Sequence, residues 1–151
     1  MDHEISIPFL IRAKQHTYAG GGILSASSRP ASHDLEYGEG DWRYLDTYLG
    51  AFHFIGEEAV WQAGVALWGM NYYGKMLVEQ VPNGFGKFLK EVLMRVPTEA
   101  PFRGPEKYQR GSFAYHCSWE GSQSLFEGWE EIHIDERPVY RLLFHGGEIH
   151  E

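Results

Sequence analysis

Glu58 and Glu130 each end the same short pattern, Phe54-x-Gly56-x-Glu58 and Phe126-x-Gly128-x-Glu130. On an extended strand this spacing puts the three side chains on one face, together with Val60 or Ile132. A carboxylate on so apolar a face must be hydrogen-bonded or paired, because a bare charge in low dielectric is costly. Two chemistries fit. Brought together, the two carboxylates would share a proton and serve as acid and base. Held apart, each would accept backbone N–H groups at a bulge made by its neighbouring glycine. Their presence in both patterns favours the second, scaffold role.

A second group of reactive types lies in residues 20–41, which begin with Gly20-Gly21-Gly22 and show no sustained periodicity. Arg29 offers a guanidinium for a carboxylate or phosphate, His33 an imidazole able to exchange protons near neutral pH, and Asp34 an adjacent carboxylate. Loops of this length in compact domains are often functional. This one reads equally as a pocket wall and as a surface loop whose Ser, Asp and Arg satisfy its own backbone. As a wall it would stand over sheet residues Tyr44, Asp46 and Tyr48. Asn71 and Tyr73, facing His145, complete the expected ligand-binding set of Arg29, His33, Asp34, Tyr44, Asp46, Tyr48, Asn71, Tyr73 and His145. The expected catalytic candidates are His33, Asp34, Glu58 and Glu130.

The elements that must position these groups are legible from periodicity. Ser6 before Pro8 starts a helix over 7–18. Phe85, Phe88, Leu89, Val92, Leu93 and Val96 form a stripe at helical spacing, with Asn83 as its expected cap and Pro97 as its stop. Alternation predicts strands over 41–49, 53–62 and 65–73, then over 112–119, 125–134 and 138–145. The stretch 97–111 reads as a connector.

Residues 54–74 and 126–146 match at a constant offset of 72, with Phe54, Gly56, Glu58 and Gly74 returning as Phe126, Gly128, Glu130 and Gly146. One supersecondary unit used twice explains this. The expectation is a single α+β domain over 1–151, built from two α-β-β-β units in pseudo-symmetric repeat (about 5–80 and 81–151). Its antiparallel sheet would be covered by helices on one face. Features present in one copy only, the 20–41 segment above all, are where a site is expected.

Composition narrows the class. A formal charge of −8 with only 13 scattered Lys and Arg in 151 residues argues against nucleic acid as a partner. A single cysteine, Cys117, cannot form an internal disulfide, which suits a reducing compartment. No apolar run approaches the ~20 residues of a membrane helix. Asp2 and Glu4 stand where a signal peptide carries positive charge. A cytoplasmic location away from membranes is expected. The glycine triplet lacks the strand–turn–helix setting of a dinucleotide fingerprint, and 84–87 lacks the remaining residues of a phosphate loop. The C-terminal histidines have no recognised ligand spacing, so neither metal nor cofactor is expected.

The strings Tyr18-Ala19-Gly20-Gly21-Gly22, Ser27-Ser28-Arg29-Pro30, Ser32-His33-Asp34-Leu35, Met70-Asn71-Tyr72-Tyr73-Gly74, Pro101-Phe102-Arg103-Gly104 and His145-Gly146-Gly147 together resemble a bacterial domain-of-unknown-function family. Its members occur alone or behind an Xre-type helix-turn-helix. The resemblance implies no assigned reaction, and by analogy it suggests an effector-binding role. With no room here for the helix-turn-helix, direct transcriptional control is not expected. The leading expectation is a small-molecule-binding or sensory domain. The alternatives are a hydrolase- or lyase-type enzyme using His/Asp/Glu acid–base groups, and a homodimeric protein-interaction module.

Overall fold

The structure, a computed structural model, describes residues 4–151, so Asp2 lies outside the described residues. Helix α1 (Ile7–His16) starts where expected: the Ser6 hydroxyl accepts a hydrogen bond from the Phe9 amide, and proline occupies the first turn. Strands β1 (His33–Glu39), β2 (Trp42–Gly50), β3 (His53–Gln62) and β4 (Val65–Met76) follow. Helix α2 (Phe85–Leu93) then precedes β5 (Lys107–Arg110), β6 (Phe113–Ser122), β7 (Leu125–Ile134) and β8 (Arg137–Glu148). Every pairing is antiparallel, in one eight-stranded sheet of order β1-β2-β3-β4-β8-β7-β6-β5. The class is α+β.

Four expectations change. Residues 33–39 are a strand and not a loop, and 107–110 turn part of the supposed connector into β5. Both strands lie at a sheet edge, where a single neighbour supplies the ladder and polar side chains are tolerated, so neither carries the apolar alternation that marks inner strands. Each side of the β4–β8 seam therefore holds four strands where three were expected. At α2 the cap is Gly84, in the left-handed region at φ 82° with no side-chain cap bond, and Asn83 plays no such part. That helix also ends at Leu93, short of Pro97.

Tight turns fix the registers. Ala63-Gly64 between β3 and β4, and Asp135-Glu136 between β7 and β8, all have positive φ, the conformation that matches strand twist in two-residue hairpins. Register shifts fall at Val60/Trp61 in β3 and at Ile132/His133 in β7. At the seam Tyr72 pairs with Phe144.

Trp68, Met70 and Tyr72 of β4 and Tyr140, Leu142 and Phe144 of β8 are buried on one face. Both helices touch side chains of that face: Phe9 of α1 meets Trp42, and in α2 Phe88 stacks on Phe113 while Phe85 meets Tyr140 edge-on. Glycines let the aromatic rings lie down. A Cβ at Gly56 would strike Tyr72, one at Gly128 would strike Phe144, and those at Gly74 and Gly146 would strike Phe54 and Phe126. The opposite face exposes Ile55, Tyr73 and Leu143.

Candidate functional site

Three carboxylates are buried on the helix-facing side of the sheet: Asp46, Glu58 and Glu130. Two of them are ion-paired. Glu58 Oε1 accepts from Lys14 Nζ of α1 at 2.8 Å and from the Tyr44 hydroxyl. The Lys14 ammonium also donates to the Phe102 carbonyl at 2.8 Å and lies 5.8 Å from the centroid of the Trp68 ring. Glu130 takes both Nε and Nη2 of Arg103, at 2.6 and 2.8 Å. Hydroxyls of Tyr115 (3.0 Å) and Tyr140 (2.8 Å) complete its shell.

Neither sequence reading of the glutamates survives. They do not bond to each other, and backbone N–H groups at a bulge do not hold them. The register shifts lie beyond them, at Val60/Trp61 and Ile132/His133, and Gly56 and Gly128 serve as seats for aromatic rings. Each glutamate instead meets a cation delivered from the helical side, together with a cross-strand tyrosine.

Asp46 is the exception. It sits directly across from Glu58 in the β2–β3 register, on the same face, so two carboxylates are neighbours. Among the described residues only the Tyr72 hydroxyl donates to it, through Oδ1. Burial, and then repulsion from Glu58, push its pKa up to about 7, against the opposing pull of the Tyr72 hydrogen bond, Lys14 and Arg103. The cations respond to the same setting. Burial holds Lys14 below its ordinary pKa despite Glu58, while at Arg103 the attraction of Glu130 outweighs burial and keeps the guanidinium charged. Burial beside these carboxylates raises the Tyr44 and Tyr72 phenols well above theirs.

The corresponding place beside Glu130 is held by Cys117, paired with it across β6 and β7. Burial and the Glu130 charge push this thiol up to about 12, so it stays protonated and unreactive.

Asp46 opens onto a cavity of about 230 Å³ lined by Tyr18, His33, Asp46, Tyr48, Gly50, Ala51, Phe54, Tyr72, Leu89 and Arg103. A smaller recess beside it holds Lys14, Tyr44 and Glu58 and shares Tyr18, Asp46 and Arg103. His33 and Glu58 thus belong to adjoining hollows, joined through Asp46. The His33 ring leans on Tyr48 at 4.9 Å between centroids.

The expected ligand-binding residues divide between the two faces. His33, Asp46 and Tyr48 line the cavity, and Tyr44 lies behind it on Glu58. Arg29, Asn71, Tyr73 and His145 gather in a shallow groove on the opposite, open face. Asp34 reaches neither. It is 2% exposed, and it accepts from the Ser28 amide and from the Ser32 and Thr47 hydroxyls. Burial alone would raise its pKa, but these hydrogen bonds lower it below the ordinary value. Asp34 ties the 23–32 segment to β2.

The residues that sequence reasoning overlooked are Lys14, Tyr18, Arg103 and the direct opposition of Asp46 and Glu58. Two signals were available. Lys14 follows Leu10 and Ala13 on the buried stripe of α1, an unusual place for an unpaired lysine. The short turn after Gly50 fixes a register that sets Asp46 against Glu58. Arg103, in an irregular segment, carries no periodic signal.

Searches of curated proteins and of solved structures return no match. A family model described as a domain of unknown function, DUF5680, matches residues 46–149, a span that begins at Asp46 and includes Glu58, Tyr72, Arg103 and Glu130. The chain belongs to that family, the domain of unknown function DUF5680.

Proposed function

We propose that this chain is a small-molecule-binding domain whose ligand occupies the cavity between Tyr18, Leu89 and Arg103 on the helical side and Asp46, Tyr48, Phe54 and Tyr72 on the sheet. The observation that carries this reading is a buried carboxylate, Asp46, with one oxygen lacking any hydrogen bond among the described residues, at the edge of a hollow walled by aromatic rings. Binding sites combine apolar area with a few convergent polar groups, and this hollow has both. Its volume of about 230 Å³ lies below the ~300–1,000 Å³ of pockets for drug-sized ligands, which suits a small metabolite. The resemblance to proteins that also occur behind a helix-turn-helix supports reading occupancy as a signal. A single domain made from one unit used twice is consistent with the register shifts, 72 residues apart.

A second reading is favoured by the same carboxylate. A pKa of about 7 suits Asp46 to donate or accept a proton near neutral pH, with Glu58 opposite and His33 on the cavity wall. Hydrolase- or lyase-type chemistry would follow.

Thermal denaturation against a metabolite library tests the binding reading. A ligand at a hundred times its dissociation constant adds ~2.7 kcal/mol of stability, a rise of roughly 5–10 °C for a chain of this size. The rise should vanish in Tyr48→Ala. A library without a single stabilising compound would overturn the reading. Turnover of a stabilising compound, lost in Asp46→Asn, would move it to the enzymatic form.

A further inference from the structure

Each glutamate buried on the helix-facing side has its own cation, Lys14 for Glu58 and Arg103 for Glu130. Asp46, 6% exposed, has only the Tyr72 hydroxyl. Arg103 does not make up the difference, because both its Nε and its Nη2 are engaged by Glu130. With every group ionised, two cations and three carboxylates leave this buried cluster at 2 − 3 = −1. The surplus charge sits at Asp46, the one carboxylate of the cluster that borders the cavity, and burying an uncompensated charge is costly. Tyr18, Tyr48, Phe54 and Tyr72 supply the aromatic part of the wall, which they share with His33, Leu89 and the Arg103 already paired to Glu130.

We infer that the cavity binds a small organic cation, an ammonium group on a compact apolar frame, held by ion pairing to Asp46 and by the faces of the surrounding aromatic rings. The inference rests on the small-molecule-binding reading and names its ligand class.

The fold already contains an instance of this recognition one strand away. The Lys14 ammonium is held by a carboxylate (Glu58), a carbonyl (Phe102) and an aromatic ring (Trp68). A ligand ammonium at Asp46 would repeat that arrangement, with Asp46 as the carboxylate and tyrosine and phenylalanine rings as the aromatic wall. A monocation also brings the cluster to neutrality, which an anion or a neutral molecule would not. The second half of the sheet offers no such place, because Cys117 stands opposite Glu130 where a carboxylate stands opposite Glu58.

The test uses the full chain at pH 8 with four probes: tetramethylammonium, phenethylammonium, the neutral 2-phenylethanol and the anionic phenylacetate. Isothermal titration and thermal shift should show binding of the two cations, at least ~tenfold tighter for phenethylammonium than for 2-phenylethanol, and none of phenylacetate. Asp46→Asn should weaken phenethylammonium by ~tenfold or more while the protein still unfolds cooperatively. Tyr48→Leu, which keeps the charge and removes an aromatic wall, should weaken tetramethylammonium most. Equal affinity for 2-phenylethanol or phenylacetate, or cation binding indifferent to Asp46→Asn, would overturn the inference and leave the cavity a binding site of another class. The cation is likewise ruled out if all four probes fail while a non-cationic metabolite from the library stabilises the protein. If nothing in the library binds, the binding reading falls together with the inference.

Discussion

Asp46 decides what this molecule does with pH. A carboxylate raised from an ordinary 3.8 to about 7 in the folded state stays protonated over a range where the unfolded chain has already lost its proton. Its contribution to stability is full below pH ~4 and is lost as pH rises towards 7, because there the unfolded state binds fewer protons. At roughly 1.4 kcal/mol per unit, the loss across that window is a few kcal/mol. Asp46→Asn keeps the shape and the Tyr72 partner without the charge. Urea unfolding should therefore show the variant more stable than the parent by a few kcal/mol at pH 8 and close to it at pH 4. A variant less stable at pH 8 would mean that Asp46 is ionised and well paired, contrary to the geometry. A stabilising change at a position that also removes cation binding is what a functional carboxylate should produce, since sites retain groups that the scaffold would be better without.

At the scale of elements, the repeated glycines explain how the site is built. Gly56 lies beneath Tyr72, and a Cβ there would also strike the Cβ of Tyr48. With the ring lying over the glycine, the Tyr72 hydroxyl reaches Asp46. Gly56→Ala should consequently displace Tyr72, destabilise the protein by ~1–3 kcal/mol and weaken ligand binding. Gly128→Ala, beneath Phe144, should cost about as much stability and leave binding nearly intact. Denaturant midpoints and titration of the same two variants check the pair, and equal loss of binding in both would refute the local role of Gly56. These elements also show what a sequence can and cannot display. Inner strands with one buried face declare themselves by alternation, so β3 and β7 are read to the residue and the buried faces of β4 and β8 follow. The edge strands β1 and β5 have polar sequences and depend on a neighbour, so they read as loop and connector. The site was half legible for the same reason. Asp46, Tyr48, Glu58 and Glu130 stand on strands whose faces can be assigned, whereas His33 stands on β1 and is seen in the sequence only as a loop residue. Arg103 enters from an irregular segment, and only the folded chain places it.

Across the whole molecule, the β4–β8 seam joins the halves through nine residue pairs, and side chains interlock over it. Trp68 stacks on Phe126 at 5.6 Å, and Phe54 stacks on Tyr140 at 6.4 Å. The Arg103 guanidinium lies 5.7 Å from the centroid of the Tyr72 ring, while Lys14 donates to the Phe102 carbonyl. The cavity is shared in the same way, with Leu89 and Arg103 from one half and the other lining residues from the other. Cutting the chain between residues 80 and 81 would expose β4 and β8 as long unpaired edges with a bare aromatic face, the surface that drives edge-to-edge association. Fragments 1–80 and 81–151 expressed separately should therefore aggregate or self-associate, and neither should bind ligand. Refolded together at equal concentration, they should give a one-to-one complex with the near-ultraviolet circular dichroism of the intact chain and its ligand binding. A first fragment that alone folds as a monomer and binds would show that the helical side of the second half, Leu89 and Arg103 included, is not needed to form the site. The cavity would then be a property of four strands and one helix, and the second half only a cover for their exposed edge.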